Sequence, residues 1–270
     1  MKPTIITLLT DFGSQDYFVG AMKGVILDIN TQVQIVDVTH EISPGDTRGG
    51  AFALAASYNF FPRRTIHVVV VDPGVGSQRG AIAVQTANYF FVGPDNGVLS
   101  FALSREKIKA VRQITNEHLI LQPVSNTFHG RDLFAPVAAH LSKGWPIQKA
   151  GPETKGYMKI DWPKPRRRWR SIVGEIVYID RFGNAITNID REALFAPTES
   201  PCEVLVKHNR LCQLGSFYQA VPARKPIAVL GSTGFLEIAV NGGSAAKKLD
   251  LKIGDTVTLQ RKSLQNSSSS

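Results

Sequence analysis

Four short turns hold the residues best suited to chemistry. Thr10-Asp11-Phe12-Gly13 follows an apolar stretch, and Asp72-Pro73-Gly74-Val75-Gly76 follows the most apolar stretch of the chain. Pro94-Asp95-Asn96-Gly97 closes YFFVG, and Phe128-His129-Gly130-Arg131-Asp132 stands before a helical pattern. An ionised carboxylate only accepts hydrogen bonds and suits hydroxyl groups. A histidine titrates near neutrality and can exchange protons. Each turn also has a plainer reading. Pro-Gly and Asn-Gly make turns without further purpose, and Asp132 suits a helix cap. Four acidic or histidine-bearing turns at strand ends nevertheless point to one cleft.

Two familiar motifs are excluded. TDFG matches a kinase metal-binding triplet, but the glycine loop and catalytic loop would have to precede it, where there are too few residues. DPGVGSQRG is glycine-rich but lacks the Gly-Lys-Ser/Thr of a phosphate-binding loop. A dinuclear metal site is the alternative, with Asp11, Asp37, His40, Asp72, Asp95 and His129 as oxygen and nitrogen ligands. Their spacing is not diagnostic, and the expectation is that no metal or cofactor takes part.

The elements that must position these turns read as a strand–helix alternation. TIITLLT (4–10), VQIVDVT (33–39) and TIHVVVV (65–71) are strands, with helical patterns near 16–29 and 46–59 between them. AIAVQT and YFFVG are further strands, and 133–144 is a helix closed by glycine, with Pro136 in its first turn. This order predicts an α/β domain over 1–155, a doubly wound, mostly parallel sheet with helices on both faces, which binds ligands beyond its carboxyl ends. Residues 156–170 read as a basic Pro/Arg linker. SIVGEIVYID, AITNI, CEVLVK, PIAVLG, FLEIAV and DTVTLQ then predict a small antiparallel β-barrel or sandwich over 171–262, with one helical patch at 243–249. The stretch 263–270 reads as a disordered tail.

Composition narrows the class. Of the 270 residues 43% are hydrophobic and 20% charged, which suits a folded globular chain. No apolar run reaches the ~18 residues of a membrane span. The opening MKPTIITLLTDFG does not read as a signal peptide, so a cytoplasmic location is expected. Cys202 and Cys212 read as two ordinary thiols. The net charge of +9 raises nucleic-acid binding, and Lys164, Arg166, Arg167, Arg168 and Arg170 form a basic cluster. No nucleic-acid-reading motif accompanies it, and a solvated linker is the expected reading.

One family is similar along most of the chain. TDFG (10–13), KGVI (23–26), DVTHEISPGD (37–46), VVDPGVGSQR (70–79), GPDNGVLS (93–100), FHGRDLFAPVAAH (128–140), IDRFGNAITNI (179–189) and GSTGFLEIAVN (231–241) occur in family order. Over roughly residues 4–260 the chain resembles the S-adenosylmethionine hydroxide adenosyltransferases, the hydrolytic relatives of the fluorinase and chlorinase. The resemblance implies a homotrimer whose substrate lies between the N-terminal domain of one subunit and the C-terminal domain of its neighbour. It implies a water held by Asp72, Arg79 and His129, and a ribose held by Asp11 beside Phe12. Asp180, Phe182, Asn184 and Ser232 match residues around the methionine part, and Asn241 matches the segment whose backbone reads adenine. The halogenases carry a serine at the position of Gly130 and lack the Asp-Arg-His set, which places this sequence with the hydrolases.

The implied reaction is chemically sound. Displacement at ribose C5′ releases a neutral thioether, so the leaving group needs no acid. The difficulty is the nucleophile, because bulk water has a pKa near 15.7. Arg79 would stabilise developing hydroxide, and His129 or Asp72 would take the proton. Asp180 would pair with the methionine ammonium, while Phe182 either meets the sulfonium in a cation–π contact or packs in the core. A sensor that binds adenosine or its methionine conjugate without turnover is the remaining alternative.

Overall fold

The computed structural model describes residues 3–194, 202–207 and 209–261. The chain forms two compact units, Met1–Asp161 and Trp162–Ser270. The stretch expected as a disordered tail lies outside the described residues.

The first unit contains β1 (Thr4–Thr10), α1 (Phe18–Ile29), β2 (Val33–Thr39), α2 (Thr47–Ser57) and β3 (Ile66–Val70). These are followed by β4 (Ala81–Thr86), β5 (Phe90–Pro94), α3 (Ser100–Leu103), β6 (Ile108–Gln113) and α4 (Ala135–Ser142). The sheet order is β2-β1-β3-β5-β4-β6. The first four of these strands are mutually parallel, and β4 runs against both β5 and β6.

The apolar alternation explains the layering. Ile6 and Leu8 of β1 and Ile66, Val68 and Val70 of β3 pack under Val19, Met22 and Ile26 of α1 and Val137 and Ala138 of α4. Leu9, Val69, Val71, Ile82 and Phe91 face the other way, onto Leu54 of α2 and Ala102 and Leu103 of α3. Side chains alternate faces with period two, so β3, buried throughout, must be apolar at every position that packs on a helix. Its exception is His67, which sits among Tyr58, Phe61, Tyr89 and Phe91 and meets Thr7 Oγ1 through Nδ1 at 2.8 Å. Burial drives its pKa down to about 3, so this is a neutral core histidine.

The second unit contains β7 (Arg166–Arg168), β8 (Ser171–Ile179), β9 (Ala185–Asp190), β10 (Cys202–Val206) and β11 (Asn209–Gly215). It continues with β12 (Pro226–Leu230), β13 (Phe235–Val240), α5 (Ala245–Lys248) and β14 (Thr256–Arg261). The order is β14-β10-β11-β12-β13-β9-β8-β7, and β14 also pairs with β8. That second pairing closes β8 to β14 into a seven-stranded barrel, with β7 added outside on β8. Its pairs are antiparallel apart from β11 with β12.

The stretch 156–170 is not a free linker. Met158 N–H donates to Asp95 Oδ1 at 2.6 Å and Ile160 N–H to Ser100 Oγ at 3.3 Å, so its first part is tied to the first unit. The arginines that looked like linker charge form β7, with Trp169 and Arg170 at the turn into β8. Backbone pairing overrides composition here, because side chains on a three-residue outer strand can all stay solvated.

Candidate active site

Asp11, Asp72 and Asp95 each follow the carboxyl end of a parallel strand, β1, β3 and β5 respectively. Asn96 Nδ2 donates to the Val71 carbonyl at 2.8 Å and so fixes the backbone just before Asp72. Arg79 lies at the other end of the same loop. Its Nε donates to Asp72 Oδ1 at 2.9 Å and Oδ2 at 3.0 Å, and its Nη2 donates to Oδ2 and, at 2.6 Å, meets His129 Nδ1. The Arg79 and Asp72 side chains are only 10% and 4% exposed.

This geometry fixes a protonation state. A guanidinium only donates, so His129 Nδ1 must be the acceptor. The imidazole is therefore neutral with its proton on Nε2, free to donate outward. Burial, reinforced by the Arg79 charge, holds the His129 pKa below its ordinary value, against the opposite pull of Asp72 and Asp132. The three residues expected from the sequence thus meet in one hydrogen-bonded row.

Asp11 is held by Gly45 N–H at 2.8 Å from its Oδ2. Burial raises its pKa; the Gly45 donor opposes this and the Asp72 charge adds to it. The turn has a buttress built from Thr10 and from two residues weighed above as metal ligands, His40 and Asp37. Phe12 N–H donates to Thr10 Oγ1 at 3.2 Å, and the Thr10 hydroxyl meets His40 Nδ1 at 2.9 Å. His40 Nε2 lies 3.1 Å from Asp37 Oδ1, and Asp37 Oδ2 accepts from Lys23 Nζ at 2.6 Å. Burial works against the Asp37 charge, but Lys23 and His40 together hold its carboxyl below the usual range.

Phe12 packs against Phe18 and Phe128, with ring centroids 5.5 Å and 5.8 Å apart. Gly130 sits beneath them. A Cβ there would lie 3.1 Å from Met22 Sδ, 3.3 Å from Phe128 and 3.4 Å from Phe12. A side chain there would crowd these neighbours, and the glycine also denies the position a hydroxyl. Asp132 is not a helix cap. It is buried within a turn of π-helix at Gly130–Phe134, accepts from Ser125 N–H at 2.8 Å and Arg131 Nε at 2.6 Å, and anchors the loop before His129.

The groups weighed as metal ligands are spread over separate partners. Asp72 and His129 both accept from Arg79, Asp95 accepts from Met158 N–H, and Asp37 accepts from Lys23. Among the described residues no group of three or more His, Cys, Asp or Glu is placed to hold a metal ion.

In the second unit Asp180 follows β8. Asn184 N–H donates to its Oδ1 at 2.8 Å and Asn184 Nδ2 to its Oδ2 at 3.0 Å, so Asn184 orients the carboxylate. Phe182 is 77% exposed, which rules out the core alternative for it within this unit. Ser232 is exposed in the turn between β12 and β13. Asn241 uses its own groups to hold the segment before β12. Its Nδ2 donates to the Val221 carbonyl at 2.8 Å, its N–H to Lys225 O at 3.1 Å, and its carbonyl accepts from Arg224 N–H at 2.8 Å. It holds the turn into Gly242 and Gly243.

Sequence reasoning missed Glu237 and Tyr218. Glu237 lies in β13, is only 5% exposed, and its Oε1 accepts the Tyr218 hydroxyl. A lone glutamate inside the apolar run FLEIAV was the available signal.

Comparison with known proteins gives the same outline. The SAM hydroxide adenosyltransferase N-terminal domain matches residues 6–151, and the C-terminal domain of that family matches residues 174–258. The (R)-S-adenosyl-L-methionine hydrolase of Salinispora tropica is 38% identical over 94% of this chain and 97% of that protein. A fluorinase of an Actinoplanes species is 27% identical over 95% of this chain and 97% of its own length. The crystal structure of an uncharacterized conserved protein from Thermotoga maritima superposes with a TM-score of 0.90 at 36% identity, covering 95% of this chain and all of the other. With both family domains present in order, the chain belongs to the SAM hydroxide adenosyltransferase family.

Proposed function

We propose that the protein hydrolyses S-adenosyl-L-methionine to adenosine and L-methionine, and that its substrate has the R configuration at sulfur. The row Asp72–Arg79–His129 beyond β3 carries this reading, and the names of relatives 35–38% identical to this chain support the substrate and its configuration. Arg79 and the Nε2–H of His129 are both donors, suited to hold the nucleophilic oxygen as hydroxide. Asp72 is the acceptor of the set and has lone pairs left after its contacts with Arg79. It takes the proton of the water. An O–C5′ bond forms as the C5′–S bond breaks, and its electron pair stays on sulfur, so the positive charge of the sulfonium is neutralised.

Asp11 accepts both ribose hydroxyls, with Phe12 beside the nucleoside. Asp180, oriented by Asn184, takes the methionine ammonium, with Phe182 and Ser232 around that moiety, and the turn fixed by Asn241 meets adenine. The reading takes no metal or cofactor: Arg79 supplies the positive charge beside Asp72 and His129, and the sulfonium leaving group needs no acid. The family resemblance supports a homotrimer in which neighbouring subunits supply the two halves of each site. Among the described residues no helix is long and apolar enough to cross a membrane.

Incubation with each sulfur epimer, with and without a chelator, tests the reaction. Adenosine formed equally with chelator, and faster from the R epimer, is the expected result. Tight adenosine binding without product from either epimer would favour a sensor, and loss of product with chelator would restore the metal reading. Mixing Asp72→Asn with Asp180→Ala protein tests the shared sites: recovered activity supports them and none refutes them.

A further inference from the structure

Glu237 is an anomaly in the barrel. It is almost wholly buried, and among the described residues its carboxylate is met by the Tyr218 hydroxyl at Oε1 and by no cationic side chain. A buried carboxylate of this kind is costly unless a counter-charge arrives. Its surroundings are built for it. A Cβ on Gly231 would lie 2.2 Å from Glu237 Oε2, so the carboxylate rests directly on the glycine backbone. Gly231 opens the turn that carries Ser232, and Tyr218, half exposed, pins the carboxylate from the solvent side.

The second carboxylate of the neighbourhood is Asp180. Burial raises the Glu237 pKa, and although the Tyr218 hydroxyl opposes this, the Asp180 charge adds to it. Tyr218 is pushed up to about 12 by its bond to Glu237, by burial and by the charges of Glu237 and Asp180. Two carboxylates, a tyrosine hydroxyl and an orienting asparagine thus share one region, and among the described residues no positive side chain pairs with Glu237.

We propose that Glu237, pinned by Tyr218, is a second anionic wall of the subsite that takes the substrate's α-ammonium group, acting together with Asp180. The inference rests on the hydrolase reading above and names residues that this reading leaves unassigned. An ammonium offers three donors, more than one carboxylate oriented by Asn184 can satisfy. Glu237 supplies the additional acceptor and offsets the cost of its own burial only when ligand is bound.

The test separates the amino-acid end of the ligand from the nucleoside end. S-adenosylhomocysteine carries the α-ammonium but no sulfonium, and adenosine carries neither. Both are titrated calorimetrically against the wild-type protein, Glu237→Gln and Tyr218→Phe, and each variant is followed by thermal melting. Glu237→Gln is expected to weaken S-adenosylhomocysteine by about 10-fold or more, the scale of a charge-assisted hydrogen bond, with adenosine within about twofold of wild type. Tyr218→Phe shifts the same ligand in the same direction by a smaller factor. Unchanged affinity for S-adenosylhomocysteine in a folded Glu237→Gln protein overturns the proposal. If that variant fails to fold, Tyr218→Phe decides: a selective loss supports the subsite, and equal affinity for both ligands overturns it. Failure of the hydrolase reading looks different, because the wild-type protein itself would then form no adenosine from S-adenosylmethionine.

Discussion

Replacing Arg79 by alanine removes both the bidentate contact with Asp72 and the contact with His129 Nδ1. Two consequences of different size follow. The Asp72 side chain, 4% exposed, is left as an unpaired buried carboxylate, and breaking such a pair from one side costs about 3–5 kcal/mol. The nucleophilic oxygen loses one fixed donor, which lowers kcat by about 10²- to 10³-fold. His129 also changes. In the wild type, burial and then the Arg79 charge hold its pKa down, while Asp72 and Asp132 pull it up. Without Arg79 the upward pull wins ground, so His129 in the variant titrates at higher pH than in the wild type. Adenosine formation read by chromatography, thermal melting and histidine-labelled NMR measure the three effects. The double variant Asp72→Asn/Arg79→Ala recovers much of the stability, because no charge is stranded, but not the rate. Unchanged turnover in Arg79→Ala, or a His129 pKa that falls, would refute the reasoning.

Three further outcomes follow from the geometry. His67 has a folded pKa of about 3 against about 6.5 unfolded, so its contribution to stability is complete above pH 6.5 and is lost as pH falls toward 3. At pH 4.5 that loss amounts to about 3 kcal/mol, and a His67→Phe protein should show a correspondingly shallower fall in stability between pH 7 and 4.5; an identical fall would sink the idea. Gly130→Ser pushes a Cβ into Met22, Phe128 and Phe12, so it should lose about 1–3 kcal/mol of stability and gain no fluoride-dependent product; a stable, fluorinating variant would contradict the packing argument. Asp11→Asn should weaken adenosine by about 10-fold or more, and wild-type affinity should begin to fall on acidification above the usual aspartate range, since burial raises this carboxyl. Unchanged adenosine affinity in Asp11→Asn would remove Asp11 from the ribose.

Much of the fold is written in local patterns. The unbroken run TIHVVVV could only be a strand buried on both faces, and the periodic stretches near 16–29 and 46–59 became α1 and α2 almost as expected. What did not show was pairing. Nothing in AIAVQT distinguishes a parallel from an antiparallel strand, so the reversal of β4 was illegible. β6, IKAVRQ, is too charged for an apolar template and is a strand because β4 offers it an edge. The barrel closes through the contact of β14 with β8, a long-range fact that short motifs do not encode. At the site, Asp72, Arg79 and His129 were named from resemblance, but which histidine nitrogen carries the proton follows only from the direction in which Arg79 donates. Thr10 and His40 were named only as turn residue and metal-ligand candidate, and Glu237 was hidden, because a single polar residue in an apolar strand reads as tolerated noise until its partners are seen.

A closed barrel has no rim on which another chain can add a strand, except where an extra strand hangs outside. β7 is that exception, and it presents Arg166, Arg167 and Arg168 with Trp169, 92% exposed, at its end. Arg167, itself exposed, donates to the carbonyls of Glu192 and Ala193 at 3.1 Å and 2.9 Å, tying the strand to the turn after β9. Its neighbours stay charged and hydrated at this margin of the barrel, where backbone groups could recruit a stranger. Two such rims approaching each other would meet positive charge on both sides. Positive charge along this strand works against edge-to-edge pairing between copies, and the opposition weakens as salt screens it within about a Debye length.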